Sequence, residues 1–184
     1  MGWLPNIPKG EEKRRGLTDP SPLPLPRSVT PDRVGLESDS QVAAQARENL
    51  EAWGLAGRAT IVYADARDLP PEADGPFELV LVMSMVYYLE PDERVVLLRE
   101  IRNRLASGGR VALTTSCSGP GVDPFTANLN LVTTFYEGLT PLPTAEEMRR
   151  QLRDAGFEEV RLSPLIPSTS YLAFSAFSVR VSRR

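Results

Sequence analysis

From Val34 onward, apolar positions alternate between short strand-like runs and helical stripes. Val34-Gly35-Leu36-Glu37 is a short strand that ends in an acid. Ser38-Asp39-Ser40-Gln41 follows with the spacing of a capping box, Ser38 as N-cap and Gln41 three residues on. Val42, Ala46, Leu50 and Trp53 then recur at helical spacing, and Gly54 closes the helix. The β-branched run Ala59–Tyr63 predicts a strand, and Asp65 to Pro76 is a loop rich in aspartate and proline. Phe77–Met83 is almost continuously apolar, the pattern of a strand buried on both faces of a parallel sheet. Pro91-Asp92 opens a second helix, with Val95, Leu98, Ile101 and Leu105 on one face and Ser107-Gly108-Gly109 at its end. Arg110–Ser116 predicts the next strand. A long loop runs from Cys117 to about Pro143, with room for a short helix near Leu129–Tyr136; loops of this length are often lids. Thr144-Ala145-Glu146-Glu147 is a second capping box, and its helix carries Met148, Leu152 and Ala155 up to Gly156. Phe157–Leu162 and Tyr171–Val181 read as two closing strands. The sum is an α/β fold, a doubly wound and mostly parallel sheet with a C-terminal antiparallel strand pair.

Residues 1–33 break this pattern. Seven of the 17 prolines fall here, and those at 20, 22, 24 and 26 remove ladder donors and block a helix. A charge cluster, Lys9 to Arg15, adds to the contrast. The expectation is a Pro-rich disordered tail over 1–33 and one domain over 34–184.

Composition then removes whole classes of chemistry. The chain has no histidine and a single cysteine, Cys117, which excludes Ser-His-Asp and Cys-His mechanisms, His-ligated metals and multi-cysteine zinc sites. With 21 basic and 24 acidic residues the net charge is −3, so nucleic-acid binding by bulk electrostatics is not expected. No run of about 18 apolar residues occurs, so no membrane span is expected. The N-terminus lacks the apolar stretch of a secretory signal, which makes the cytoplasm the default location.

A carboxylate at the end of a strand suits vicinal hydroxyls, because it accepts two hydrogen bonds where strand C-termini open into a ligand crevice. Glu37 occupies that position. The order of Val34–Glu37, Ala64–Pro70, Phe77–Val82, Leu105–Val111 and Leu152–Phe157 resembles class I S-adenosylmethionine-dependent methyltransferases over about residues 33–181, a Rossmann-like fold. The resemblance implies that Glu37 holds the cofactor's ribose and that Asp65, with the Ala66 backbone, reads the adenine. It places Met83 and Ser84 beside the methionine part of S-adenosylmethionine, and Tyr87, Tyr88 and the loop residue Tyr136 near the methyl acceptor. It implies no metal and names no catalytic residue.

The family's glycine-rich loop and the strand before it belong about 20 residues ahead of the ribose acid. Here Arg14 to Pro31 contains no Gly-x-Gly, and the prolines forbid a central strand. The chain therefore resembles a methyltransferase whose first βα unit is missing. Its two flanking edges, Val34–Glu37 and Phe77–Met83, are expected to be exposed or paired in trans, giving a marginal or homodimerising chain.

Plainer readings stand beside each role. Glu37 also suits a helix N-terminus, Asp65 a turn, Met83 core filling, and Tyr87-Tyr88 a buried aromatic pair. Cys117 reads as an inert strand-end thiol. Two functions remain open: a methyltransferase acting on a small molecule, weakened by the missing loop, and a non-catalytic remnant or pseudoenzyme working through protein contacts. A nicotinamide-dependent oxidoreductase is a third reading that needs the same absent loop.

Overall fold

The computed structural model describes residues 33–178. Their elements, in chain order, are β1 (Arg33–Glu37), α1 (Ser40–Ala52), β2 (Ala59–Tyr63), β3 (Phe77–Met83), α2 (Pro91–Asn103), β4 (Leu105–Ser116), α3 (Pro124–Phe135), α4 (Ala145–Asp154), β5 (Glu158–Pro164) and β6 (Tyr171–Phe177). Single 3-10 turns occupy Pro71–Ala73 and Val86–Tyr88. The expected tail lies outside the described residues except for Arg33, which opens β1. Residues 179–181 of the expected last strand also lie outside them.

The helix starts follow from side chains that take up unpaired N–H groups. Asp39, not Ser38, caps α1: its Oδ1 accepts from the N–H groups of Gln41 at 2.8 Å and Val42 at 3.0 Å. A carboxylate is the stronger acceptor at a helix N-terminus, where the dipole also favours it. The second helix begins at Pro91 behind a reciprocal pair of Glu90 and Glu93. The capping box at Thr144 forms as expected, with Thr144 Oγ1 accepting from Glu147 N–H at 3.2 Å and the Glu147 carboxylate accepting from Thr144 N–H at 2.7 Å.

The long loop holds more order than its sequence suggested. Its helix, α3, starts five residues earlier than the expected Leu129, because Asp123 caps it and Pro124 fits the first helical position. The Asp123 carboxylate accepts from Thr126 N–H at 3.0 Å, the Thr126 hydroxyl at 2.8 Å and Ser170 N–H at 2.8 Å. It thereby ties α3 to the turn before β6. These donors, Ser170 N–H first, hold its pKa at about 2, below the ordinary 3.8. A carboxylate with a depressed folded pKa contributes stability that is complete above the unfolded value and is lost as pH falls through the folded one. Asp123→Asn is therefore expected to melt lower than wild type at neutral pH and to lose less on acidification from 3.8 to about 2. Thermal melts of both proteins across that interval check this; parallel pH profiles would remove Asp123 from the acid response.

Strands β1 and β2 pair in parallel, with Glu37 opposite Tyr63. Strands β3 and β4 also pair in parallel, and β6 lies antiparallel between β4 and β5, giving the order β3-β4-β6-β5. The parallel strands followed by an antiparallel closing pair match the expected fold class. The sheet is divided, however: among the described residues no hydrogen bonds join the β1–β2 pair to the four-stranded sheet. β1 has a partner only in β2 and β3 only in β4 among the described residues.

One face of the four-stranded sheet carries the core. Val82, Val111, Leu113, Phe174 and Ala176 share that face and pack with Leu98 and Ile101 of α2 and Met148 and Leu152 of α4. The opposite face of β3 carries Leu79, Leu81 and Met83, which are 42%, 59% and 63% exposed. So Phe77–Met83 is not buried on both faces as its composition suggested. Val80 and Val82 face the core that α2 and α4 help to close, and among the described residues nothing covers Leu79, Leu81 and Met83.

Candidate cofactor and acceptor site

The sequence-predicted residues gather in two groups at strand C-termini. Glu37 and Asp65 form the first, at the ends of the paired β1 and β2. Ala64 N–H donates to the Glu37 carbonyl at 3.0 Å, which holds the two strand ends together. The half-buried Glu37 carboxylate accepts from Asp39 N–H at 2.9 Å, and this turns the chain into α1. A carboxylate has about four acceptor positions, so most of its capacity is left for a ligand's hydroxyls.

Asp65 is more committed. Its Oδ1 accepts from Arg67 N–H at 2.8 Å, and its Oδ2 pairs with the Arg67 guanidinium at 3.3 Å. Any amino group approaching it shares the carboxylate with that arginine. Ala66 is partly buried against the core, which fixes the backbone beside Asp65.

The second group lies at the end of β3. Met83 is exposed, and Ser84 takes a left-handed conformation, φ 51°, that is uncommon outside glycine. Three hydrogen bonds hold this turn. Ser84 N–H donates to the Thr114 carbonyl at 2.8 Å, while the Tyr171 hydroxyl bridges Ser84 Oγ at 2.8 Å and Thr114 Oγ1 at 2.9 Å. Tyr87 and Tyr88 follow on the 3-10 turn, with ring centroids 5.0 Å apart and planes tilted by 39°. Tyr87 is half-buried and Tyr88 exposed, so the pair is not a core aromatic cluster. Burial, with Tyr88 and Tyr171 nearby, pushes the Tyr87 phenol above its ordinary 10.0. At neutral pH it is a hydrogen-bond donor and not a base.

Arg67 links the two groups. Its guanidinium pairs with Glu93 at 3.2 Å and donates to the Tyr88 carbonyl, so the end of β2 is tied to the turn after β3. Tyr136 is not brought in: it stands at the end of α3, 69% exposed. Thr140 makes the link between the long loop and the tyrosine turn, donating its N–H to the Tyr87 carbonyl at 2.8 Å. Behind it, the buried Arg94 donates to the carbonyls of Val86 at 2.8 Å and Leu89 at 3.0 Å and to the Thr140 hydroxyl.

Tyr171, Thr114, Arg67, Arg94 and Thr140 were not singled out from the sequence. Arg94 had a signal, standing four residues before Leu98 on the buried stripe of α2. Tyr171 had none, because its meeting with Ser84 depends on the register of β6 on β4. Cys117 is buried, and desolvation pushes its thiol up to about 12, which leaves it unreactive as read. A shallow cleft lined by Asp92, Val95, Val96, Arg99 and Asp154 contains none of the sequence-predicted residues. No helix among the described residues is long and apolar enough to cross a membrane.

The chemistry of this arrangement is hydroxyl-rich and weakly basic. Ser84, Thr114, Tyr87, Tyr88 and Tyr171 supply neutral donors and acceptors around one strand end, and the carboxylates stand on the other sheet. Such a site orients and desolvates a reactant more readily than it removes a proton.

Comparisons with known proteins bear on the fold. Residues 24–109 match the family model described as a methyltransferase domain. A candidate O-methyltransferase from Nostoc punctiforme is similar in fold, with a TM-score of 0.67 and 24% identity over 78% of this chain and 43% of that one. The mitomycin 7-O-methyltransferase MmcR gives a TM-score of 0.69 at 20% identity, covering 79% of this chain and 41% of its own. PigF, solved with S-adenosylhomocysteine, gives 0.64 at 24% identity, covering 79% and 43%. The chain thus spans less than half the length of these proteins. By the domain match and the shared fold, it resembles the class I S-adenosylmethionine-dependent methyltransferases, and its sequence carries no Gly-x-Gly ahead of Glu37.

Proposed function

We propose that this chain is the S-adenosylmethionine-binding part of a cytoplasmic methyltransferase that acts on a small molecule, weakened by the missing glycine-rich loop. The observation that carries the reading is the placement of Glu37 and Asp65 at the adjoining ends of β1 and β2, with Asp65 tied through Arg67 to the Ser84–Tyr88 turn. In this reading Glu37 accepts from the ribose hydroxyls, and Asp65 with the Ala66 backbone receives the adenine. Met83 and Ser84 lie along the methionine portion, while Tyr87 and Tyr88 face the acceptor. The bound cofactor supplies an electrophilic methyl group and the driving force for its transfer. The protein's part is to position the acceptor and exclude water, with the Tyr87 and Tyr88 hydroxyls donating hydrogen bonds. A proton released by the acceptor passes to solvent or to an exposed carboxylate, since no histidine is present. MmcR, a named small-molecule O-methyltransferase of similar fold, supports an oxygen acceptor by analogy.

The test is a thermal melt with and without S-adenosylhomocysteine. Ligand at about 100 times its dissociation constant adds about 2.7 kcal/mol. For a chain of this size that corresponds to a rise of about 5–10 °C. A cooperative transition that does not move at millimolar ligand would overturn the reading and favour a non-catalytic protein acting through its surface.

A further inference from the structure

We propose that Tyr171 is a positioning residue of the cofactor and acceptor site: acting through Ser84, its hydroxyl sets the direction in which the chain leaves β3. Resting on the methyltransferase reading, this role adds to that site a residue from β6, two strands away from β3.

The need for such a residue lies in the backbone. Ser84 has φ 51°, a conformation that Cβ disfavours in residues other than glycine, so contacts outside the turn must hold it. The extended path of β3 ends at this residue. Met85, with φ −119° and ψ −9°, then leads into the 3-10 turn that bears Tyr87 and Tyr88. An extended Ser84 would send that turn elsewhere. The placement of both tyrosines therefore depends on one disfavoured dihedral.

The hydrogen bonds at Ser84 point to Tyr171 as the holder. Ser84 N–H donates to the Thr114 carbonyl at 2.8 Å, which carries the β3–β4 pairing one residue past the strand. That bond fixes the nitrogen and leaves the side chain free. Among the described residues, the side chain is held by Tyr171 alone: the phenol oxygen lies 2.8 Å from Ser84 Oγ and 2.9 Å from Thr114 Oγ1. A phenol has one hydrogen, so it donates to one of these hydroxyls and accepts from the other. The three oxygens form a directed chain, in which each bond polarises the next.

Register explains the reach. Tyr171 stands opposite Ser116 on β4, which makes Thr114 its diagonal neighbour, and Thr114 stands opposite Met83. Diagonal neighbours lie within reach of an aromatic side chain, and the ring carries its hydroxyl across β4 to the residue after Met83. The root of the side chain is fixed too. The Tyr171 carbonyl accepts from Leu165 N–H at 2.9 Å. The preceding Ser170 donates its N–H to Asp123 at 2.8 Å and accepts from Cys117 N–H at 2.9 Å. A ring anchored at both ends transmits the position of β6 to the turn after β3.

The test is a double-mutant cycle in the full chain, read by titration calorimetry with S-adenosylhomocysteine and by NMR hydrogen exchange at the residue-84 amide. Tyr171→Phe is expected to weaken binding about tenfold, the scale of one or two neutral hydrogen bonds, and to speed exchange of the Ser84 amide. Glycine adopts the left-handed conformation freely and has no hydroxyl for Tyr171 to hold. In a Ser84→Gly background, Tyr171→Phe should therefore change the affinity by less than about twofold, whatever Ser84→Gly does by itself. Thr114→Val removes the phenol's other partner and is expected to give a smaller loss in the same direction. Equal affinities for wild type and Tyr171→Phe would overturn the proposal and, with a lowered melt, leave Tyr171 a staple of the sheet. An equal loss in both backgrounds would overturn it as well, because the hydroxyl would then act on the ligand and not through Ser84. So would unchanged exchange at Ser84, or a larger loss from Thr114→Val than from Tyr171→Phe. A wild-type chain that binds no S-adenosylhomocysteine overturns the methyltransferase reading and this role together, whereas wild-type binding without a Tyr171→Phe effect overturns this role alone.

Discussion

Arg94→Met is expected to destabilise the fold by roughly 2–6 kcal/mol, enough to unfold much of the chain at 37 °C if its stability lies near the lower end of the usual 5–15 kcal/mol. Arg94 is 3% exposed, and all its direct partners are neutral oxygens. It holds the carbonyls of Val86 and Leu89 from one side and the Thr140 hydroxyl from the other, and that hydroxyl itself donates to the Leu89 carbonyl at 3.1 Å. Methionine fills the space but removes the charged donor from both carbonyls, which keep only the neutral Leu89 N–H and Thr140 hydroxyl, and each charged hydrogen bond lost costs about 1–3 kcal/mol. Arg94→Lys keeps the charge and loses the planar fork that serves two directions, so an intermediate loss is expected. Urea denaturation of the three proteins checks the order. A methionine variant as stable as wild type would mean that water replaces the guanidinium and that the turn does not depend on it. The variants also separate stability from function, because the same arginine supports the turn that presents Tyr87 and Tyr88.

Glu37→Ala is expected to raise the dissociation constant for S-adenosylhomocysteine by roughly 30- to 700-fold. Two ligand hydroxyls donating to one carboxylate contribute about 2–4 kcal/mol together, and each 1.4 kcal/mol is a factor of ten. The substitution also removes the acceptor for Asp39 N–H, so part of any loss could come from a loosened start of α1. Glu37→Gln separates the two effects: it retains an acceptor for Asp39 and presents a neutral amide to the ribose. An intermediate affinity for the glutamine variant, with melts of the unliganded proteins within about 1 °C, would assign the loss to the ligand contact. Titration calorimetry reads the affinities. Equal dissociation constants for wild type and Glu37→Ala would remove Glu37 from the site.

Local chemistry made much of this fold legible before any coordinates. The Thr144–Glu147 capping box forms because both partners lie within four residues of one another, and the stripe Met148, Leu152, Ala155 faces the core because helical spacing leaves it no other face. The strand Phe77–Met83 has the expected bounds. Competition between neighbours was harder to read. Ser38 and Asp39 both suit an N-cap, and the choice fell to Asp39 because Glu37 accepts its N–H and turns the chain one residue later. The Asp123 cap on α3 had a local signal in Asp123-Pro124, whereas its bond from Ser170 N–H, 47 residues on, depended on the fold.

What the sequence by itself determined, then, was the order of strands and helices, the acid at the end of β1, and the proline spacing over residues 20–26 that withholds ladder donors. All of these depend on side chains within a few turns of one another, or on proline's missing donor, which no context restores. What only the tertiary structure decided was which residues meet: Tyr171 with Ser84 and Thr114, Arg67 with Tyr88, Arg94 with Thr140. It also decided that Leu79, Leu81 and Met83 stay uncovered. Apolar composition sets how much burial a strand favours, but whether a helix covers a given face depends on elements distant in the chain, and on that face of β3 the described residues supply none.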